Sequence, residues 1–287
     1  MDGDSYFERC RSRVEDALRQ ALPAEGRRPA RLTEAFRYSV LAGGKRIRPI
    51  LCLTAAEAVG GSWEQALAPA VAIELLHTYT LVHDDLPCMD NDLLRRGQPT
   101  VHAKYGEPLG VLVGDALQAY AFEVLAAKAD DGASAMHAIR WVQELASAAG
   151  PYGVVGGQVE DVADAATSDE ATIAFVHQHK TADLFRAALR LGAIGGGGDE
   201  AQIDQLGQYG NHLGLAFQII DDLLDAPTDG GDAAAVDELT CLKVWSLDEA
   251  RRRAAQHTAA AIAALPGLPG SVAPLRDLAE RMLKRIY

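Results

Sequence analysis

Asp84-Asp85-Leu86-Pro87-Cys88-Met89-Asp90 and Asp221-Asp222-Leu223-Leu224-Asp225 are two aspartate-rich strings, each closing a long apolar stretch with helical periodicity. A helix C-terminus carries partial negative charge, so carboxylates gathered at such an end, Asp92 included, destabilise it unless cations bind. Asp221 and Asp225 are four residues apart and share a helix face, with Asp222 beside the first. Two such faces opposed across a helical bundle would cage Mg²⁺, a hard ion that takes oxygen ligands and shares them with substrate phosphates.

The basic residues cluster where an anionic substrate needs them. Gly43-Gly44-Lys45-Arg46-Ile47-Arg48-Pro49 sets three cations between a Gly-Gly helix stop and a proline suited to opening the next helix. Alone, that segment reads as a solvated turn; beside the acidic strings, diphosphate binding is the better reading. Arg95-Arg96-Gly97 follows the first string, and arginine forks suit phosphate oxygens, with structural pairing to Asp90 or Asp92 as the rival. His77 lies two helical turns before Asp84 on the same face, an alignment that lifts it above the ordinary core histidine. Lys180-Thr181 and Gln218 are polar groups inside apolar helices and need partners, a bound substrate among the candidates.

The elements that must position these residues read as helix almost throughout. Apolar spacing predicts helices over 6–22, 31–41, 49–59, 62–83, 110–129, 133–149, 169–194, 200–224, 247–264 and 271–286, with glycine pairs such as Gly60-Gly61 and Gly156-Gly157 as punctuation. Strand-like alternation is hard to find, 226–242 is the least regular stretch, and aromatics are only 6% of 287 residues, so the expected fold is all-α in a single domain, 1–287. A net charge of −13 argues against a nucleic-acid surface and requires any phosphate site to gather local cations. Four cysteines without Cys-x-x-Cys spacing or a secretory signal predict reduced thiols in a cytoplasm. The apolar run 110–127 contains Asp115 and Glu123, so no membrane span is expected.

GGKRIRP, ELLHTYTLVHDDLPCMDNDLLRRGQPTVH, GDALQAYAFE, GGQVEDV, KTADLF and GLAFQIIDDLLD together resemble, in order from about 31 to 225, the trans-type polyprenyl (isoprenyl) diphosphate synthases, the group of the bacterial farnesyl and geranylgeranyl diphosphate synthases. The set is highly specific, whereas any one string is weak. The resemblance implies an isoprenoid-synthase-type helical bundle around a central cavity, three Mg²⁺ ions and a homodimer. It implies metal-binding roles for Asp84, Asp85, Asp90, Asp221, Asp222 and Asp225, with Asp221 and Asp222 placed above Asp225. Lys45, Arg48, His77 and Arg96 match positions for the diphosphate of isopentenyl diphosphate, and Arg95, Lys180, Thr181 and Gln218 those around the allylic diphosphate and its tail. Gln158 carries a site-lining role.

The implied reaction condenses isopentenyl diphosphate with an allylic diphosphate. Metal ions, Lys180 and Arg95 stabilise the leaving pyrophosphate, with Asp84, Asp85 and Asp221 as the core of that machinery, and an apolar cavity keeps water from the allylic cation. No protein base stands out, and the released pyrophosphate suffices as proton acceptor. Tyr79 and Thr80 precede Asp84 by five and four residues, and a bulky Tyr79 resembles the family pattern that stops growth at farnesyl diphosphate. Geranylgeranyl diphosphate is the alternative if Leu112, Val113 and Leu117 set a deeper floor. The chain departs from the pattern after Asp225: where relatives place a Gly-Lys pair and a Lys-x-Thr-Tyr-Pro stretch it has Glu238, Thr240 and Lys243, and Leu93 replaces a further aspartate. That departure motivates a rival reading as a non-catalytic partner subunit. A class I terpene cyclase is disfavoured by the second aspartate string and the Lys45/Arg48 segment.

Overall fold

A computed structural model describes residues 3–129, 132–162, 169–226 and 239–286. Thirteen α-helices occur among the described residues: α1 (Gly3–Ala21), α2 (Ala30–Leu41), α3 (Ile47–Ala58), α4 (Trp63–Asp84), α5 (Val101–Tyr105), α6 (Glu107–Ala126), α7 (Gly132–Ala149), α8 (Val154–Asp161), α9 (Glu170–Val176), α10 (Asp183–Gly195), α11 (Glu200–Leu224), α12 (Leu247–Ala263) and α13 (Ala273–Leu283). The fold is all-α, as expected; its only sheet among these residues is a hairpin of two-residue strands, β1 (Leu94–Arg95) and β2 (Gln98–Pro99), paired antiparallel.

α4 is the axis of the bundle. Ala70, Ile73, Leu75 and Leu76 are buried around its circumference, and α3, α6 and α10 pack against it. A helix apolar on all sides belongs inside a core. α11 lies along α10 and α12, with Phe185, Leu189, Ile203, Leu206 and Leu213 fully buried between them. Its start is fixed by a reciprocal cap: Asp199 accepts from the Gln202 amide at 2.9 Å, and the Gln202 side chain accepts from the Asp199 amide at 3.1 Å. α4 and α11 thus run through the core and deliver an aspartate string at each C-terminal end.

The predicted helix over 169–194 is really α9, a π-helical turn (His177–Ala182) and α10. α5 and α8 escaped the sequence reading. Gly156-Gly157, read as punctuation, lies inside α8, because a Cβ at Gly157 would meet the Lys180 amide nitrogen at 2.4 Å. Glycine there lets α8 close onto the π turn. By length and composition α6, with a mean hydropathy of 1.4, meets the requirement for crossing a bilayer, contrary to the expectation for this stretch. In the fold it packs along α4 and leaves Val111 and Leu112 exposed.

Candidate active site

A cavity of about 430 Å³ opens beside the end of α4, walled by α4, α8 and the π turn. Of the predicted residues it brings together Arg48, His77, Tyr79, Asp84, Gln158, Lys180 and Thr181. Val155, Val159 and Val162 of the α8 region add an apolar wall. A larger cavity, about 520 Å³, lies between α2 and the hairpin and holds none of the predicted residues.

The two aspartate strings share one arrangement. In each, the leading aspartate stands among charges, while the second is taken up by protein donors. Burial first, then neighbouring Asp90 and Asp161, push the Asp84 carboxyl up to about 6, against the counteracting pull of Lys180 and Arg95. Asp85 is buried and accepts from Arg95 Nε at 2.6 Å; the same arginine reaches Asp92 at 3.1 Å. Asp222 accepts from Gln218 at 2.9 Å and from the Cys241 amide at 2.8 Å, with His177 Nε2 3.2 Å away. Burial works to raise the Asp222 pKa, but His177, the Cys241 amide and Gln218 outweigh it and hold the carboxyl below its ordinary range. Asp221 is raised by burial despite Arg285, whose Nη1 lies 3.1 Å away, and Asp225 is exposed at the end of α11.

Asp222, expected with Asp221 to be a firmer metal ligand than Asp225, engages both of its carboxylate oxygens with protein donors. Its Oδ1 accepts from Gln218 and its Oδ2 from the Cys241 amide, whereas Asp85 engages Arg95, and Asp221 engages Arg285, through Oδ1 alone, which leaves Asp84, Asp85, Asp90, Asp221 and Asp225 with oxygens to offer. Among the described residues no three His, Cys, Asp or Glu side chains form a closed metal cage. A half-open, all-oxygen set fits Mg²⁺, which binds through one or two carboxylates and completes its shell with water and phosphate.

Arg46, counted with Lys45 and Arg48 as a phosphate cation, is 3% exposed and turned inward. It donates to Glu15 at 2.8 Å, to Glu74 at 2.6 Å and to the Val40 carbonyl at 2.7 Å, from a left-handed backbone with φ 52°. Lys45 is exposed, and both Lys45 and Arg48 feel the charge of Asp221. Burial lowers Arg48 to about 10; its guanidinium donates to His77 Nε2 at 3.2 Å, while its own Nε has no partner among the described residues. Burial and the surrounding arginines hold His77 neutral, well below its usual range. Arg96, in left-handed backbone, lies across Gly43-Gly44 and donates to the Gly43 carbonyl.

On the opposite wall Lys180 pairs with Asp161 at 2.5 Å. Sequence reasoning missed Asp161, although it lies in the quoted GGQVEDV string, three residues after Gln158 and on the same face of α8. Gln158 Nε2 is buried without a partner among the described residues, an orphan donor on the cavity wall. Gln218 does not line the cavity: it accepts from Thr181 at 2.7 Å and passes the link on to Asp222. Val113 and Leu117 are fully buried and Leu112 is 53% exposed, and none of the three lines the cavity. The altered segment lies outside the described residues over 227–238, which include Glu238; Thr240 caps a 3₁₀ turn, Cys241–Lys243. Leu93 is exposed.

The cavity joins the first aspartate string, through Asp84, to Arg48 and Lys180, while Asp221, Asp222 and Asp225 lie outside its lining at the end of α11. Residues 29–235 match the polyprenyl synthetase family model, and the chain belongs to that family of prenyl diphosphate synthases. Among curated relatives it is 44% identical to the heterodimeric geranylgeranyl pyrophosphate synthase large subunit 1 of Arabidopsis thaliana, over 99% of this chain and 80% of that protein. It is 43% identical to a geranylgeranyl pyrophosphate synthase of Capsicum annuum, over 95% and 76%. Among solved structures it resembles an FPP/GFPP synthase of Zymomonas mobilis, with TM-score 0.87, 38% identity and 98% of both chains covered.

Proposed function

We propose that the protein condenses isopentenyl diphosphate with an allylic diphosphate in a Mg²⁺-dependent reaction and makes geranylgeranyl diphosphate. The observation that carries the reaction is an apolar cavity that gathers Asp84, Arg48 and Lys180, with Asp221 acting electrostatically on the same Arg48; the named relatives support the product. Farnesyl diphosphate is the second reading, favoured by Tyr79, which is 8% exposed and walls the cavity one turn before Asp84.

Asp84, Asp85 and Asp90 on one side, and Asp221 and Asp225 on the other, would hold the metal. When bound, Mg²⁺ neutralises the leaving pyrophosphate and polarises its oxygens. Lys180, its charge kept by Asp161 and Asp84 against burial, adds a cation on the allylic side. Lys45, Arg48 and Arg96 hold isopentenyl diphosphate, and neutral His77 keeps the Arg48 fork aligned. Val155, Val159 and the methylenes of Gln158 exclude water from the allylic cation. Arg285 engages Asp221 through Oδ1, so the second oxygen would be the one offered to a metal.

Exposed Val111 and Leu112 on α6 and Met136 and Ile139 on α7 suit a second copy of the chain, and we include a homodimer in the proposal. Cys10, Cys52, Cys88 and Cys241 are all free, which supports a reducing compartment such as the cytoplasm. The test is incubation with Mg²⁺, isopentenyl diphosphate and each allylic diphosphate, followed by chromatography of the dephosphorylated prenols. Asp84→Ala and Asp221→Ala should each lower turnover by about 10²-fold or more while circular dichroism stays native. Wild-type turnover in both would remove the metal assignment, and the absence of any prenol would remove the synthase reading.

A further inference from the structure

We infer that His83, seated on Gly114, sets the length of prenyl chain that the cavity accepts; the inference rests on the synthase reading above. His83 immediately precedes Asp84 and lies one helical turn after Tyr79, whose ring it meets edge-on with centroids 5.2 Å apart. Both side chains line the cavity. The imidazole reaches from α4 to α6, where Nε2 is 3.0 Å from the Val111 carbonyl oxygen. A carbonyl only accepts, so Nε2 carries the proton of that bond. Asp115 Oδ1, at 4.0 Å, faces the same nitrogen.

The seat exists because residue 114 is glycine. A Cβ there would lie 2.0 Å from His83 Nε2 and 2.2 Å from Cδ2, so any side chain at this position expels the ring. Tyr79 is therefore backed by His83, and His83 by the backbone of α6. The wall that a growing tail meets is this edge-to-face pair of rings rather than Tyr79 alone. Removing the imidazole opens space behind Tyr79 toward α6; adding a methyl group to Gly114 drives the imidazole off its seat toward Tyr79 and the cavity. The two changes push product length in opposite directions.

The experiment compares wild type, His83→Ala, Gly114→Ala, the double variant and His83→Gln, each given Mg²⁺, isopentenyl diphosphate and dimethylallyl diphosphate. Prenols are separated after dephosphorylation, and thermal melting establishes that each variant is folded. His83→Ala should raise the ratio of longer to shorter prenol by at least about tenfold, the scale set by small volume changes in an apolar pocket. Gly114→Ala should lower that ratio by a similar factor, and the double variant should return to the His83→Ala pattern because no ring remains to displace. His83→Gln, which keeps a donor for Val111, should stay near wild type. Unchanged product ratios in folded, active variants would overturn the inference, as would shifts of the same sign in His83→Ala and Gly114→Ala. A wild-type protein that makes no prenyl diphosphate would instead overturn the reading on which the inference rests.

Discussion

Replacing Arg46 by methionine removes a charge that no solvent can replace. Its side chain is 1% exposed, and that of its partner Glu74 3% exposed. Burial alone would depress the Arg46 pKa, but Glu74 and Glu15 hold it above its ordinary range. Arg46→Met keeps the apolar stem and strands the Glu74 carboxylate in the core, at a cost of about 3–5 kcal/mol. Glu15 is 20% exposed and has a second partner in Arg19 at 3.7 Å, so Glu15→Gln should cost only about 1 kcal/mol. Arg46→Met combined with Glu74→Leu should recover most of the loss, because an apolar pair of similar volume leaves nothing unpaired. Urea unfolding followed by circular dichroism reads wild type, these variants and the Glu74→Leu single variant. The single Arg46 variant should also raise the KM for isopentenyl diphosphate more than that for the allylic substrate, since the loop bearing Lys45 and Arg48 loses its anchor. A cost for Arg46→Met below about 1 kcal/mol, or a double variant in which the losses add, would refute the reasoning.

Asp84 makes metal-free stability depend on pH. Its carboxyl rises from 3.8 to about 6 on folding, so the folded state binds the proton more tightly. The stabilisation is complete below pH 3.8 and is lost as pH rises through about 6, and a urea titration of metal-free protein should show that slope, which Asp84→Asn removes. Asp222→Asn should cost about 1.5–3 kcal/mol and expose the Cys241 amide to hydrogen exchange; unchanged protection at Cys241 would mean that Asp222 does not tether that segment. Tyr79→Ala should lengthen the prenols formed, and an unchanged distribution would take Tyr79 out of the wall.

The residues whose meaning lies in spacing were legible in the chain itself. Apolar periodicity marked α4 and α11, and the aspartates at their ends followed. Residues whose role depends on direction were not. Arg46 is one of three cations within four residues, and only its left-handed backbone turns it into the core. Asp85 and Asp222 are indistinguishable in sequence from Asp84 and Asp221, yet one residue of helical rotation points them at protein donors. α8 was hidden because glycine signals both a break and a close approach, and the latter holds at Gly157. The hairpin 94–99 has two residues per strand, too few for alternation to register.

The π turn at His177–Ala182 constrains how this stretch can change through descent. Such a turn is an α-helix that has absorbed one extra residue without breaking. Deleting a residue there would restore a regular helix, a change that favours the backbone locally. It would also turn everything on one side by about 100° relative to the other. Either Lys180 and Thr181 would leave the cavity, or Phe185 and Leu189 would leave the core. The segment can therefore drift by substitution at His179, which is partly exposed, but its residue count is locked, and insertions and deletions should be purged here while single replacements persist.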